Sequence, residues 1–248
     1  MSEVSYAGAR FPVRPDLEEA HRRAWMRLAA PGTWWTGAER VAIASESRRA
    51  RSCTLCRERK QALSPTAVAG RHQSDGGLPD ALVDAIHRIV TDPGRLSRSF
   101  YEGVGSSGID DTHYVEMVGV VVRTVSIDVF CHALGLPLHP LPEPQTGEPS
   151  RRRPASARPD GAYVPMIPAG RAGGADSESL FGGRRAPNVG RAMSLVPEEV
   201  HAMMDLSEAQ YMPPLRVADP GFDPGRAITR SQIELIAGRV SAQNECFY

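Results

Sequence analysis

Four cysteines, Cys53, Cys56, Cys131 and Cys246, carry the widest chemical range in this 248-residue chain, and the first two form a Cys-x-x-Cys pair. A thiol reacts as its thiolate, and an ordinary cysteine ionises near a pKa of about 8.5. A helix N-terminus, a neighbouring cation or a Cys-x-x-Cys arrangement lowers that value. Cys53 and Cys56 are placed for all three, with Arg51, Arg57, Arg59 and Lys60 close in sequence. Such a thiolate can attack one oxygen of a peroxide and become a sulfenic acid. A second thiol one helical turn away then closes a disulfide before further oxidation. An external dithiol restores the pair by exchange, and a buried glutamate can protonate the leaving hydroxide or alkoxide.

Other chemistries fit less well. Cys53 and Cys56 supply half of a zinc site, but no second Cys-x-x-Cys and no closely spaced histidine pair completes it, Cys131-His132 being the one further candidate. No metal is therefore expected. No glycine-rich phosphate loop lies between a strand and a helix, so no nucleotide cofactor is expected either. Cys131 sits among Val129, Phe130 and Leu134 and reads as a buried apolar residue. His113, near the start of a long helical segment, reads as a cap or surface group, with proton transfer as the alternative. The basic stretch 48–60 is either a thiolate-tuning device or a solvated helix face.

The elements that must position these groups are helical by spacing. Asp16 caps a helix over 17–30 that stops at Pro31-Gly32, a second covers 37–51, and a third starts at Cys53 and ends before Pro65. Pro79 opens a helix whose Leu82, Ile86, Ile89 and Val90 share one face. Asp110 or Asp111 caps the apolar segment 114–136. Its β-branched residues suit a strand, but its length of more than 20 residues far exceeds the usual five or six of a strand. Helical patterning returns after Pro187, with Pro197-Glu198-Glu199 as a first turn, and a last helix begins at Thr229. The fold class is all-α.

Two of these segments match each other. Thr36 and Thr229, Glu39 and Gln232, Ile43 and Ile236, Ala44 and Ala237, and Cys53 and Cys246 fall in register, with the same threonine-to-cysteine spacing. Each copy reads as a helix with a capping box that delivers a cysteine to the next helix. Were the second copy to run on like the first, residue 249 would be its second cysteine. A UGA codon for selenocysteine read as a stop produces such an end, and an ordinary truncation or a frameshift produces it too.

This pattern, a threonine and a glutamate or glutamine three residues on, an Ile-Ala helix, then Cys-x-x-Cys opening another helix, resembles the alkylhydroperoxidase D and carboxymuconolactone decarboxylase superfamily. The resemblance implies an alkylhydroperoxidase D-like helical bundle and reduction of a peroxide at the expense of a dithiol reductant. In that family a glutamate stands twelve residues before the first cysteine and a histidine four after the second. It assigns Glu234 to the proton relay and Cys246 to the resolving cysteine. In the first copy Cys53 and Cys56 fit the pair, while Val41 and Lys60 occupy the glutamate and histidine positions. Homo-oligomers are expected from the same resemblance. A carboxymuconolactone decarboxylase-like lyase using acid and base groups, and a non-catalytic oligomerisation module, are the alternatives.

Three units are expected: a module over 1–136, a proline- and arginine-rich solvated linker over 137–160, and an incomplete second module over 161–248. Lysine plus arginine and aspartate plus glutamate each number 29, so no global field draws the chain to nucleic acid or an anionic membrane. The apolar segment 114–136 is interrupted by Glu116, Arg123 and Asp128, each costly in lipid. With no basic start followed by an apolar core at the N-terminus, a cytoplasmic location is expected.

Overall fold

The structure is a computed structural model that describes residues 4–184, 186–213, 216–244 and 246. Among them are ten α-helices: α1 (Pro15–Ala29), α2 (Gly37–Ala50), α3 (Thr54–Gln61), α4 (Asp80–Thr91), α5 (Arg98–Ser106), α6 (Asp111–Ala133), α7 (Gly174–Phe181), α8 (Asn188–Arg191), α9 (Pro197–Gln210) and α10 (Arg230–Gln243). One isolated bridge, Arg158 to Met166, is the β pairing found among the described residues, so the fold is all-α. None of the helices described is long and apolar enough to cross a membrane.

The valine-rich segment is helix throughout, because its burial is helical in period rather than alternating. Met117, Val120, Val121 and Ile127 of α6 are buried, whereas Val122 and Val129 are about half exposed. Asp110 starts the helix by accepting from the backbone N–H groups of Thr112 and His113 at 3.0 and 2.9 Å. Around α6 pack α1, α2 and α4, and their apolar faces, with Trp25, Leu28, Ile43, Leu82 and Ile86, close the main core. His113 bonds to Asp110 at 2.9 Å and lies against the Trp34 and Trp35 rings, in keeping with the cap reading. Helices α5 and α7 lack a sequence signal. In α5 the poor helix formers Gly103 and Gly105 are offset by a Ser97 cap on Phe100 N–H and by burial of Val104.

The stretch 137–160 is largely exposed, and it is tied to α1 and the turn after it. Trp25 Nε1 donates to Pro140 carbonyl at 2.9 Å, Gln145 N–H to Ala29 carbonyl at 2.8 Å, and Arg151 N–H to Thr33 carbonyl at 2.8 Å. Composition hid this because the strap is held through its backbone, which composition does not report. Beyond it, α9 docks on α1 and α6, where Arg23 and Arg27 converge on Asp205 at 2.6 and 2.5 Å.

Both capping boxes form. Thr36 and Glu39, and Thr229 and Gln232, exchange side-chain and backbone hydrogen bonds in the same way. The helices they start differ in setting. Ile43 is fully buried in α2, whereas its counterpart Ile236 in α10 is 55% exposed, and Leu235 and Val240 are exposed beside it. Residues 214, 215, 245, 247 and 248 fall outside the described residues, and the expectation of a second cysteine after Tyr248 lies outside them too.

Candidate metal and thiol centre

Helix α2 ends at Ala50, and a tight turn returns the chain into α3, with Cys53 as the residue before its first turn and Cys56 within that turn. A Cys-x-x-Cys on a helix start places both sulfurs on one side, since residues three apart are neighbours. Those sulfurs lie 3.7 Å apart. Both thiols are buried and neither is in a disulfide. Opposite them, α4 contributes His87, which is fully buried, and the connection between α3 and α4 contributes His72.

The four side chains converge. The donor atoms of Cys53, Cys56, His72 and His87 all lie within 4.8 Å of one another. His72 Nδ1 is 3.5 Å from both sulfurs, and His87 Nδ1 is 3.1 Å from the Cys56 sulfur. A tetrahedral zinc with bonds of about 2.3 Å to sulfur and 2.0–2.1 Å to nitrogen separates its sulfurs by about 3.8 Å and sulfur from nitrogen by about 3.5 Å. The sulfur–sulfur separation and both His72–sulfur separations fit that frame, and His87 lies slightly closer to the Cys56 sulfur than it requires.

The far side of each imidazole is also occupied. His72 Nε2 meets Asp84 Oδ1 at 2.9 Å, and Asp84 takes a further bond from Arg59 at 2.5 Å. His87 Nε2 meets Glu46 Oε1 at 2.7 Å, and Ser74 donates to the other oxygen of Glu46 at 2.9 Å. Each carboxylate fixes its imidazole with Nδ1 turned to the sulfurs, the arrangement that orients histidines on metals.

Charge favours ionised sulfur. Burial raises the Cys53 thiol, but hydrogen bonds from the Cys56 N–H, from His72 and from the Gln73 N–H outweigh it and bring the pKa down to about 7. For His72, burial opposes the charged form, yet Asp84 and the two sulfurs hold it protonated up to about 10. Asp84, resisted by burial, is brought down to about 2 by His72 and Arg59. His87 goes the other way: burial and the neighbouring His72 charge lower it despite Glu46. One imidazole is thus held charged beside the sulfurs and the other neutral.

The remaining sequence candidates lie elsewhere. Glu234 of α10 accepts from the Tyr211 hydroxyl at 2.6 Å and from Arg230 Nε at 2.7 Å, and Cys246 is exposed. Neither belongs to the four-residue cluster, and nor does Cys131, which is fully buried in the main core as its apolar neighbours suggest. His72 and His87 escaped sequence reasoning because they stand 16 and 15 residues after the preceding cluster member, well outside the short spacings of histidine pairs. A trace was present for His87, a polar ring beside Ile86 with Val83 and Val90 one helical turn away on either side. Nothing local distinguishes His72. In comparisons with known protein families, curated proteins and solved structures, nothing matches this chain.

Proposed function

We propose that the chain is a zinc-binding protein whose Cys53, Cys56, His72 and His87 form a closed tetrahedral centre. The observation that carries this reading is the convergence of two sulfurs and two Nδ1 atoms, with both Nε2 atoms held by carboxylates. Thiolate and imidazole donors in this number suit zinc better than magnesium or calcium, which take oxygen. The site's role rests on the segment it secures. Residues 62–79 contain one short 3-10 turn and few buried apolar groups, and His72 is one of their anchors to the helices, beside Ser74 on Glu46 and the Val68 carbonyl on Arg59. Four protein ligands leave no open position, so the centre is structural. The test is native mass spectrometry and elemental analysis of protein purified without added metal. One zinc per chain, lost in Cys56→Ser and His87→Ala, is the expected result, and a chain with no bound metal after zinc loading refutes it.

A second reading, thiol-dependent peroxide reduction or disulfide exchange, is favoured by the acidity of Cys53 and by the chain Cys56, His87, Glu46. Val41 and Lys60 leave the first repeat without the family's glutamate and histidine, and Glu46 and His87 bring those groups to the sulfur from other positions. The thiolate takes one peroxide oxygen, the O–O bond breaks, and the leaving oxygen is protonated. The second thiol then displaces water from the sulfenic acid as the disulfide forms, and a dithiol reductant reopens it. Sulfur bound to zinc is not free for this attack. Peroxide consumption by metal-free protein with a dithiol, lost in both Cys53→Ser and Cys56→Ser, supports this reading, and normal turnover in Cys56→Ser removes the pair from it.

A further inference from the structure

The four side chains of the centre are not equally anchored. Cys53 and Cys56 stand at the start of α3, and His87 is fully buried on α4. His72 sits on the irregular connection between those helices, whose apolar residues are at most half-buried. Bonds from Ser74 to Glu46 and from Arg59 to the Val68 carbonyl also tie this connection, and both are partly open to solvent. Beside His72 a cavity of about 410 Å³ opens between the connection and α4. Gly70, Arg71, Ser74 and Asp84 line it and neither cysteine does, so solvent comes up to the most loosely held ligand. Segments with few buried apolar contacts open locally at the lowest free energy.

The two sulfurs have a second way to bond. They lie 3.7 Å apart on residues three apart across the first turn of α3. At that spacing a helix holds its Cα atoms about 5 Å apart, inside the span of roughly 4.4–6.8 Å that disulfides take. The pair therefore closes to a disulfide by turning two side chains. Such a bond joins residues that are already neighbours and ties nothing to His72. Zinc, by contrast, links His72 to Cys56 and closes the loop of residues 57–71. Zinc needs both sulfurs as thiolates, so the two states exclude each other.

Resting on the zinc centre proposed above, we propose that this centre is a peroxide-responsive clasp. Zinc shields Cys53 and Cys56 and holds residues 62–79; when it leaves, hydrogen peroxide closes a disulfide that keeps zinc out and leaves the connection loose. One sulfur attacks a peroxide oxygen, the O–O bond breaks, and the departing hydroxide is protonated to water. The second sulfur displaces the hydroxyl of the sulfenic acid, which also leaves as water. Two thiols and one peroxide thus give one disulfide and two waters. A dithiol returns two electrons and two protons by exchange and becomes a disulfide itself. Those two protons are released when the thiols take zinc again.

The test exposes the full chain to hydrogen peroxide at a series of buffered free zinc concentrations, with disulfide formation read by thiol alkylation and mass spectrometry. At about a hundred times the zinc dissociation constant only about 1% of the chain is unliganded, so the disulfide forms about a hundredfold more slowly than in excess chelator. Asp84→Asn keeps all four ligands but loosens His72, and the same protection then takes about 10–100-fold more free zinc. Trypsin cuts between Arg71 and His72 at least about tenfold faster in the disulfide form than in the zinc-loaded form. Added zinc slows that cut only after a dithiol has been supplied. A chain that binds no zinc refutes the centre, and the clasp with it. Bound zinc that leaves the oxidation rate unchanged, zinc retained by the disulfide form, protection unshifted in Asp84→Asn, or a cut at Arg71 indifferent to oxidation leaves the centre standing and overturns the clasp.

Discussion

Replacing His72 by alanine separates a metal tether from an ordinary buried hydrogen-bonding group. With zinc bound, His72 ties the connection between α3 and α4 back to Cys56 and closes a loop of the fifteen residues 57–71. Cross-linking a loop of that length stabilises by about 3 kcal/mol in the chain-entropy treatment. For a chain of this size about 1 kcal/mol moves the melting temperature by about 2–4 °C. His72→Ala therefore lowers the melting temperature of zinc-loaded protein by about 6–12 °C. Without metal, His72 still holds Asp84 and lies against both sulfurs, but Asp84 keeps Arg59 as a partner. Only about 1 kcal/mol is lost in that state, or about 2–4 °C. Differential scanning calorimetry of wild type and variant, each with zinc and with excess chelator, measures all four values. The tether argument fails if the variant costs the same with and without chelator, or if chelation leaves the wild-type transition where it was.

Three further outcomes rest on the geometry. Zinc affinity rises with pH between about 7 and 10, because Cys53 and His72 must shed protons held to about 7 and about 10; titrations in buffers of different ionisation enthalpy count the protons released, and a flat pH dependence contradicts the ligand set. His21, between the Tyr6 hydroxyl and Gln210, is lowered to about 4 by burial and then by His139. The unfolded chain takes up a proton near pH 6.5 that the folded chain refuses until about 4, so stability is complete above about 6.5 and falls by up to about 3 kcal/mol as pH drops through that window. Urea unfolding at pH 7 and 4.5 checks this against His21→Asn, in which the loss is smaller. Gly119→Ala drives a Cβ into Glu199 Oε2, and the Glu199 carboxylate is held by Arg123 on that oxygen and by Arg40 on the other; breaking that buried cluster costs about 3 kcal/mol by chemical denaturation, and an unchanged unfolding midpoint shows that the cluster yields.

Helix positions, most caps and the cysteine pair were legible in the chain because they are local, although Asp16 lies in the first turn of α1 and does not cap it. Thr36 with Glu39, Thr229 with Gln232, Asp110 before the valine-rich run and Cys53 at the start of α3 each depend on neighbours within one or two turns. The absence of a strand in 111–133 was readable from length and is matched by the burial period. Local pattern failed where contacts are made by backbone or across long separations. The strap 137–160 is largely exposed, as its prolines and arginines indicate, but its tethers run through carbonyl and N–H groups that any residue has, so composition did not report them. The two copies of the capped helix look alike in sequence, yet Ile43 is buried and Ile236 exposed, because burial depends on which helices come to lie alongside.

An all-helical chain, and the chemistry of Cys53 and Cys56 as two thiols three residues apart on a helix start beside cations, are written in the order of the residues. The groups those sulfurs face are set by packing. Contact of α4 with α2 puts His87 between Cys56 and Glu46, and the course of the connection before α4 puts His72 between both sulfurs and Asp84. The difference is one of range. A ligand set of four side chains spread over 35 residues is specified by where three helices and a loop meet, and spacing along the chain does not encode that meeting.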